Sequence, residues 1–160
     1  KGEPPLLPRL NRYRPIGSSA SVRFKTVKPV QATQASHLNF VAADTGSWEQ
    51  AAASQLEILA TRGVIQCYVR NDRLELTIPY EFFGQPHAYE PDFVVRMADG
   101  ALLLLEVKGA EPAKVSAKHQ SAQRWVTAVN RWGRLGRWDF MVCHNPQELA
   151  GQILSRVAQS

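Results

Sequence analysis

The sequence predicts a single α/β domain in which helices flank a central mixed β-sheet. Its 160 residues are 44% apolar, which is enough to bury a core without disulfides or a structural metal. Segments with strand and helix periodicity follow one another in the order αββββαβα. One strand segment, ALLLLEV at 101–107, is apolar throughout, as is typical of a strand buried on both faces.

The N-terminal 21 residues are predicted to form a proline-rich linker or arm. Because the chain begins with Lys1 and not with methionine, we expect it to be a segment of a longer protein. Residues 22–160 are predicted to form one folded domain, with an edge strand and lead-in at 22–43 and the core at 44–160. The edge strand is predicted from VRFKTVKPV, in which apolar and basic residues alternate and Pro29 excludes a central position.

The first predicted helix spans 48–61 and carries a carboxylate on its buried side. Glu49 precedes Leu56 by seven residues and falls on the apolar stripe, so we predict that it points inward. Glu57 lies about 100° around the helix from Leu56 and ranks second as a functional candidate. Gly63 ends the helix. The stripe consists of Ala52, Ala53, Leu56, Leu59 and Ala60.

Two predicted hairpins follow this helix. The first pairs 64–70 with 74–80 through a turn at Asn71-Asp72-Arg73, and a loop through Gly84 and Pro86 comes next. The second hairpin pairs 91–97 with 101–107, and its second strand is predicted to be central in the sheet. A helix at 113–130, a strand at 138–143 and a helix at 146–158 complete the domain.

The register of the second predicted hairpin determines whether two acidic side chains lie on the same face of the sheet. If Ala98-Asp99-Gly100 is a three-residue turn with a left-handed glycine, Asp92 lies directly opposite Glu106 on one face of the sheet. A two-residue turn would put these side chains on opposite faces. Gly100 at the third turn position favours the first register. Strand alternation then returns Lys108 to the same face as Glu106.

Two carboxylates and a lysine at the end of a buried strand suggest metal-assisted chemistry. Glu106 follows four leucines, where a charge is costly unless a cation or hydrogen bonds compensate it. Mg²⁺ is commonly held by one or two carboxylates, with water and phosphate oxygens completing its shell. A lysine beside such a site stabilises charge in the transition state, which is the chemistry of phosphodiester hydrolysis.

This arrangement resembles the PD-(D/E)XK nuclease superfamily. The signature consists of Pro91-Asp92 and, fourteen positions after Asp92, Glu106-Val107-Lys108. Four stretches, two of which contain the signature, look like the C-terminal endonuclease domain of type III restriction enzyme Res subunits, and the likeness extends over about 22–150. These stretches read SHLNFVAADTGSWEQ, YEPDFVVR, LLLLEVKG and RWVTAVNRWGRLGRWDFMVC. The resemblance implies a restriction-endonuclease-like core.

The resemblance also implies roles for individual residues. Asp92 and Glu106 become metal ligands, with the Val107 carbonyl as a further ligand. Lys108 becomes the catalytic lysine. Glu49 matches the acid of the superfamily's first helix, as a metal ligand or as an acid that orients water. The implied cofactor is Mg²⁺, for which Mn²⁺ can substitute, and the implied partners are DNA, an upstream helicase region and a methyltransferase subunit.

The charge distribution adds candidates for contacts with DNA. The net charge is +6 over 1–28, −6 over 44–106 and +6 over 108–137. This pattern could bring metal ions and a polyanion to one surface, and the alternative is ordinary solvated surface charge. The candidates, which include one glutamine of the second helix, are Lys114, Lys118, Gln123, Arg131, Arg134 and Arg137.

Other classes of site find no support in residue spacing. The two cysteines, Cys67 and Cys143, lack CxxC spacing, and the four histidines lack zinc-ligand spacing and are predicted to be turn or surface residues. Neither a GxSxG elbow nor a phosphate-binding loop is present. The cysteine usage fits a reducing, cytoplasmic setting, and the longest apolar run, at 101–105, is too short to cross a bilayer.

Three functions therefore remain open. The first is a Mg²⁺-dependent endonuclease domain that serves as the cleavage module of a type III-like restriction enzyme. The second is a structure-specific or repair nuclease with the same fold, which would prefer branched or flapped DNA. The third is a noncatalytic DNA-docking module, which would bind DNA without cutting it.

Overall fold

A computed structural model of the chain describes residues 6–44, 47–108 and 112–159, with the backbone alone at 112–115. Within these ranges, 3-10 turns occur at Ser19–Ser21 and Pro146–Glu148. The helices are α1 (Trp48–Thr61), α2 (Pro112–Trp132) and α3 (Leu149–Ala158). The strands are β1 (Val30–Ala32), β2 (Phe40–Ala42), β3 (Ile65–Arg70), β4 (Ile78–Phe82), β5 (Gln85–Tyr89), β6 (Phe93–Met97), β7 (Leu102–Val107) and β8 (Trp138–Cys143).

The predicted α/β class, with a mixed sheet flanked by helices, is confirmed. Four strands form the central sheet in the order β3-β6-β7-β8, in which β8 alone runs parallel to its neighbour. β7 pairs on both sides, which confirms its predicted central position. Because side chains alternate along a strand, Leu103 and Leu105 enter the core under α1 and α3, while Leu104 packs with α2 and the β4–β5 hairpin.

Helix α1 spans the predicted residues, and local chemistry sets its ends. Ser47 Oγ accepts the N–H of Gln50 at 3.2 Å, and Gly63 adopts a φ of +73° just after the helix. Ala60 is partly buried against the core that the rest of the predicted stripe enters. The fully buried residues of the helix are Ala52, Ala53, Leu56 and Leu59.

The predicted pairing of 64–70 with 74–80 is wrong, because β3 pairs with β6. The side chain of Asn71 explains the difference. Its Nδ2 donates to the Leu76 carbonyl at 2.7 Å, and its Oδ1 accepts the Leu76 N–H at 3.2 Å. These two bonds fold 71–76 into a loop that carries the chain away from β3.

The predicted loop through Gly84 and Pro86 is also wrong, because β5 occupies 85–89 and pairs with β4. The two strands are joined by a two-residue turn in which Phe83 and Gly84 both have positive φ, at 49° and 70°. Turns of this kind usually carry Asn-Gly. Phenylalanine at the first turn position therefore gave no local signal for the hairpin.

The edge strand predicted at 22–30 is largely absent from the described chain. β1 begins only at Val30 and pairs with β2 in a separate two-stranded sheet. The alternating apolar residues gain no buried face, since Val27 is fully exposed and Phe24 is 40% exposed. Alternation alone does not form a strand when no packing surface is available to its apolar side.

A segment at 34–37 covers the free edge of β3, and Glu57 holds it there. The Tyr68 N–H donates to the Ala35 carbonyl at 3.1 Å, and the His37 N–H donates to the Tyr68 carbonyl at 3.0 Å. The Glu57 carboxylate accepts the backbone N–H groups of Gln34 and Ala35 at 3.2 to 3.3 Å. It also accepts the Tyr68 hydroxyl at 2.9 Å. Glu57, the second-ranked functional candidate, thus anchors the segment at 34–37 to the edge of β3.

Replacement of Glu57 by alanine is expected to lower the free energy of unfolding by about 2 kcal/mol, because three donors lose their common acceptor. Urea denaturation measures this change. Glu81→Ala, at an exposed position of β4, is the matched control and is expected to change the value by less than about 0.5 kcal/mol. Equal effects of the two substitutions would contradict the anchoring role.

Candidate active site

The hairpin of β6 and β7 has the register that brings two acids together. Phe93 pairs with Leu105 and Arg96 pairs with Leu102. The Met97 N–H donates to the Ala101 carbonyl at 2.8 Å, and Gly100 has a φ of +87°, so the predicted three-residue turn is confirmed. Continuation of this register by one residue places Asp92 opposite Glu106, at the end of the hairpin far from the turn.

The carboxylate of Asp92 is held by the neighbouring strand. Its Oδ2 accepts the Val107 N–H at 2.8 Å. Burial raises the pKa of Asp92, and the charge of Glu49 adds to that rise. The Val107 N–H, the charge of Arg70 and a hydrogen bond shared with Glu106 act in the opposite direction. Asp92 therefore lies within hydrogen-bond reach of a second, more deeply buried acid.

Glu106 is 5% exposed and is the central group of the site. Burial and the negative charge of Asp92 raise its pKa to about 7. The hydroxyl of Tyr89 donates to Glu106 Oε2 at 2.9 Å and stabilises the carboxylate. The charges of Lys118 and Lys108 also favour the carboxylate, but burial and the charge of Asp92 together outweigh these three effects. Such a pair of acids retains a proton near neutral pH unless a cation replaces it.

Two lysines flank this pair of acids. Lys108 is exposed and directly follows β7, two residues beyond Glu106. Lys118 extends from α2, and its Nζ lies 5.5 Å from the centroid of the Tyr89 ring. Both lysines lie close enough to Glu106 to lower its pKa. The acids thus open onto a surface that carries positive charge from a strand and from a helix.

Glu49 lies in the first turn of α1, close enough for its charge to raise the pKa of Asp92. Among the residues that the structure describes, no three or more His, Cys, Asp or Glu side chains are grouped so as to hold a metal ion. Of the four predicted metal ligands, Asp92 and Glu106 lie opposite each other, and their role as ligands stays a prediction. The metal-ligand roles of Glu49 and of the Val107 carbonyl stay predictions.

Sequence analysis missed two residues of the site, Arg70 and Tyr89. Arg70 ends β3, its Cζ lies 5.6 Å from the centroid of the Phe93 ring, and its charge lowers the pKa of Asp92. Within the described part of the chain, its Nε and Nη1 atoms are buried and have no hydrogen-bond partner. Tyr89 lay in a stretch predicted to be a loop. Predicting either residue as part of the site would have required the correct strand pairing.

The candidates for DNA contacts occupy different places. Lys118 lies at the acidic pair and Gln123 is exposed on α2, whereas the Lys114 side chain lies outside the described residues. The remaining three candidates lie near the start of β8. The Arg137 carbonyl accepts the Leu102 N–H at 2.9 Å, at the opposite end of β7 from Glu106. Leu102 and Glu106 are four positions apart along the strand, which corresponds to about 13 Å.

The three arginines near the start of β8 are Arg131, Arg134 and Arg137. Arg137 forms an ion pair with Asp99 in the β6–β7 turn. The Cζ of Arg134 lies 5.4 Å from the centroid of the Trp132 ring. Their contact with DNA stays a prediction, and any such contact would lie away from the acidic pair.

Loss of the Tyr89 hydroxyl is expected to raise the pKa of Glu106 above its value of about 7 in the wild type. In the Tyr89→Phe variant the carboxylate loses a hydrogen bond that stabilises its charged form. Infrared spectroscopy of the protonated carboxyl band, assigned with Glu106→Gln, follows this titration. Tyr80→Phe, which alters a tyrosine stacked on His87, is the control and is expected to leave the pKa unchanged. An unchanged pKa in Tyr89→Phe would contradict the assigned hydrogen bond.

Comparisons of the chain with protein-family models, with curated proteins and with solved structures find no match. In the described ranges, no helix has both the length and the apolar character needed to cross a membrane.

Proposed function

We propose that this chain is a metal-dependent DNA endonuclease domain with a restriction-endonuclease-like core, which hydrolyses phosphodiester bonds. The observation that carries the proposal is the pair of the half-buried Asp92 and the buried Glu106, which lie opposite each other and are flanked by Lys108 and Lys118. Burying two like charges is unfavourable unless a cation joins them. The lysines supply the positive surface that a polyanionic substrate requires.

The donors of this pair suit a hard divalent cation. Carboxylate oxygens are the ligands that Mg²⁺ prefers, and two protein carboxylates are a common number when substrate phosphates complete the shell. Asp92 and Glu106 would hold the ion, and Mn²⁺ would replace it. A bound ion of this kind lowers the pKa of a water molecule and shields the charge of the phosphate.

Each remaining group has a role that follows from its contacts. The Val107 N–H fixes the orientation of Asp92, and the Tyr89 hydroxyl fixes that of Glu106. Lys108 and Lys118 attract the phosphate and stabilise the additional negative charge that develops when water attacks it. Glu49 lies close to Asp92 and would orient the attacking water.

We further propose that the domain serves as the cleavage module of a type III-like restriction enzyme. The support is the sequence resemblance, since the signature residues directly precede β6 and end β7, where the acidic pair forms. In such an enzyme a methyltransferase subunit recognises the DNA site and a helicase region translocates the DNA. We therefore expect efficient, site-specific cutting to require both partners.

The test combines metal binding with cleavage, because metal binding does not depend on the partners. Calorimetric titration with Mn²⁺ and nicking of supercoiled plasmid in Mg²⁺ or Mn²⁺ are measured on the wild type, Asp92→Asn and Asp99→Asn. Asp99→Asn makes the same chemical change in the turn at the other end of the hairpin. We expect Asp92→Asn to lose both properties, with cutting reduced at least about 100-fold, and Asp99→Asn to keep them.

The outcomes separate the possible functions. Failure of the wild type to bind Mn²⁺ would contradict the proposal, and DNA binding without metal binding would identify a noncatalytic docking module. A preference for flapped or branched DNA over linear duplex would identify a structure-specific or repair nuclease.

A further inference from the structure

A cysteine, a histidine and a serine meet on the surface of the sheet edge, outside the acidic site. The Sγ of Cys67 on β3 lies 3.3 Å from Nε2 of His37. The other ring nitrogen of His37, Nδ1, lies 3.1 Å from the Oγ of Ser19. A nucleophile, a base within hydrogen-bond reach and a third group that orients the base are the parts of an activated nucleophile.

Backbone contacts hold the three residues in place. The His37 N–H donates to the Tyr68 carbonyl at 3.0 Å, next to Cys67 on the edge strand. Ser19 begins a 3-10 turn that is capped by Ser18, whose Oγ accepts the Ala20 N–H at 3.2 Å. The imidazole is thus positioned by its own main chain, and a change of its side chain leaves the main-chain bond intact.

The environment of Cys67 differs from that of Cys143, the other cysteine in the chain. The Cys67 thiol is half-buried and its His37 neighbour is exposed, so small molecules can reach it. Cys143 is fully buried, and its thiol donates to the Asn145 carbonyl at 3.0 Å. Burial raises the pKa of the Cys143 thiol. Cys143 therefore provides an unreactive reference in the same protein.

We propose that Cys67 is a reactive thiol that undergoes exchange with low-molecular-mass disulfides, with His37 as its base and Ser19 as a positioning residue. The Cys67 sulfur attacks one sulfur of the disulfide, and a new S–S bond forms as the original S–S bond breaks. The thiol proton passes to Nε2 of His37 and then to the departing thiolate. The products are a mixed disulfide at Cys67 and one free small thiol.

Ser19 acts through the imidazole. When its Oγ accepts the Nδ1–H of His37, Nε2 is left as the acceptor that the thiol proton needs. A metal site is less suited to this cluster, because even a catalytic zinc site has three protein ligands. Around Cys67, as elsewhere in the described ranges, no such group of three His, Cys, Asp or Glu side chains is found. The proposal is independent of the endonuclease proposal.

The test uses the whole chain with Cys143→Ser, so that Cys67 is the sole thiol and the serine can keep the bond to Asn145. The reagent is the neutral chromogenic disulfide 4,4′-dithiodipyridine at pH 7, and the same protein unfolded in urea is the reference. We expect Cys67 to react at least about tenfold faster in the folded protein than in the unfolded one. His37→Gln is expected to remove this gain, and added imidazole to restore part of it.

A second pair of variants tests the positioning role. Ser19→Ala is expected to slow the reaction about threefold or more, whereas Ser19→Thr, which keeps the hydroxyl, retains the wild-type rate. If His37→Gln fails to fold, the two Ser19 variants test by themselves whether the Ser19 hydroxyl contributes to the reactivity of Cys67. Equal rates in folded and unfolded protein would overturn the proposal, as would full reactivity of Ser19→Ala or of a folded His37→Gln.

Discussion

The Lys108→Met variant is expected to bind duplex DNA nearly as tightly as the wild type and to cut it about 10²- to 10³-fold more slowly. Lys108 lies within electrostatic reach of Glu106 and is exposed at the end of β7. Its ammonium group can therefore reach a phosphate held at the acidic pair. Because one lysine supplies only a small part of the total attraction for DNA, its loss affects the charged transition state more than binding.

Two measurements separate the effect on DNA binding from the effect on cutting. Fluorescence anisotropy in Ca²⁺ measures binding, and single-turnover cleavage at saturating protein measures the cutting of bound DNA. Arg131→Met is the matched control, because it removes a positive charge near the start of β8, away from Glu106. The control is expected to weaken binding slightly without slowing the cutting of bound DNA. A Lys108→Met variant that cuts bound DNA at the wild-type rate would remove Lys108 from the catalytic groups.

The hairpin that carries the acids could be predicted because its register depends on local chemistry. A glycine at the third turn position allows the left-handed conformation, and that single choice determines which residues face each other over the whole hairpin. Helix α1 could also be predicted, since its apolar spacing and its cap are both local signals in the sequence. The prediction that Asp92 lies opposite Glu106 therefore required only the local turn and no contact between distant parts of the sequence.

Arg70 and Tyr89 could not be predicted, because their positions depend on pairings between distant strands. Arg70 reaches the site only because β3 pairs with β6, which is more than 20 residues away in sequence. Tyr89 reaches Glu106 because a turn with phenylalanine in a left-handed conformation forms the β4–β5 hairpin. Local propensities do not encode either contact.

Blocks of charge along the sequence also do not map directly onto one surface. The basic block that follows the signature contains Lys108 and Lys118, which meet at Glu106. The same block contains Arg137, which directly precedes β8 at the other end of β7 and forms an ion pair with Asp99 in the β6–β7 turn. The cluster of Ser19, His37 and Cys67 shows the reverse case, since three distant and individually ordinary residues meet in space.

Replacement of Glu106 by glutamine is expected to stabilise the folded chain at pH 8 by up to about 3 kcal/mol and to have little effect near pH 4. The pKa of Glu106 is about 7 in the folded protein, against a reference value of 4.5. Between these two values the folded state binds more protons than the unfolded state. Stability therefore falls as pH rises through this window, and the loss is complete above the folded pKa.

The glutamine side chain avoids this loss because it is neutral at every pH and similar in shape. Its carbonyl can accept the Tyr89 hydroxyl, and its amide can donate to Asp92. Urea denaturation of the two proteins at pH 4, 6 and 8 measures the difference. Glu90→Gln, at an exposed position just before β6, is the control and is expected to show no such trend. A difference that is the same at all three pH values would contradict the raised pKa.

Addition of Mg²⁺ connects this stability effect with the proposed activity. If Asp92 and Glu106 hold the ion, saturating Mg²⁺ stabilises the wild type at pH 8, by about 2.7 kcal/mol at 100 times the dissociation constant. The same Mg²⁺ concentration is expected to leave Glu106→Gln unchanged, because an amide is a much weaker ligand for this ion than a carboxylate. Under the proposed function, cation binding would offset the destabilising effect of the Glu106 charge at neutral and higher pH.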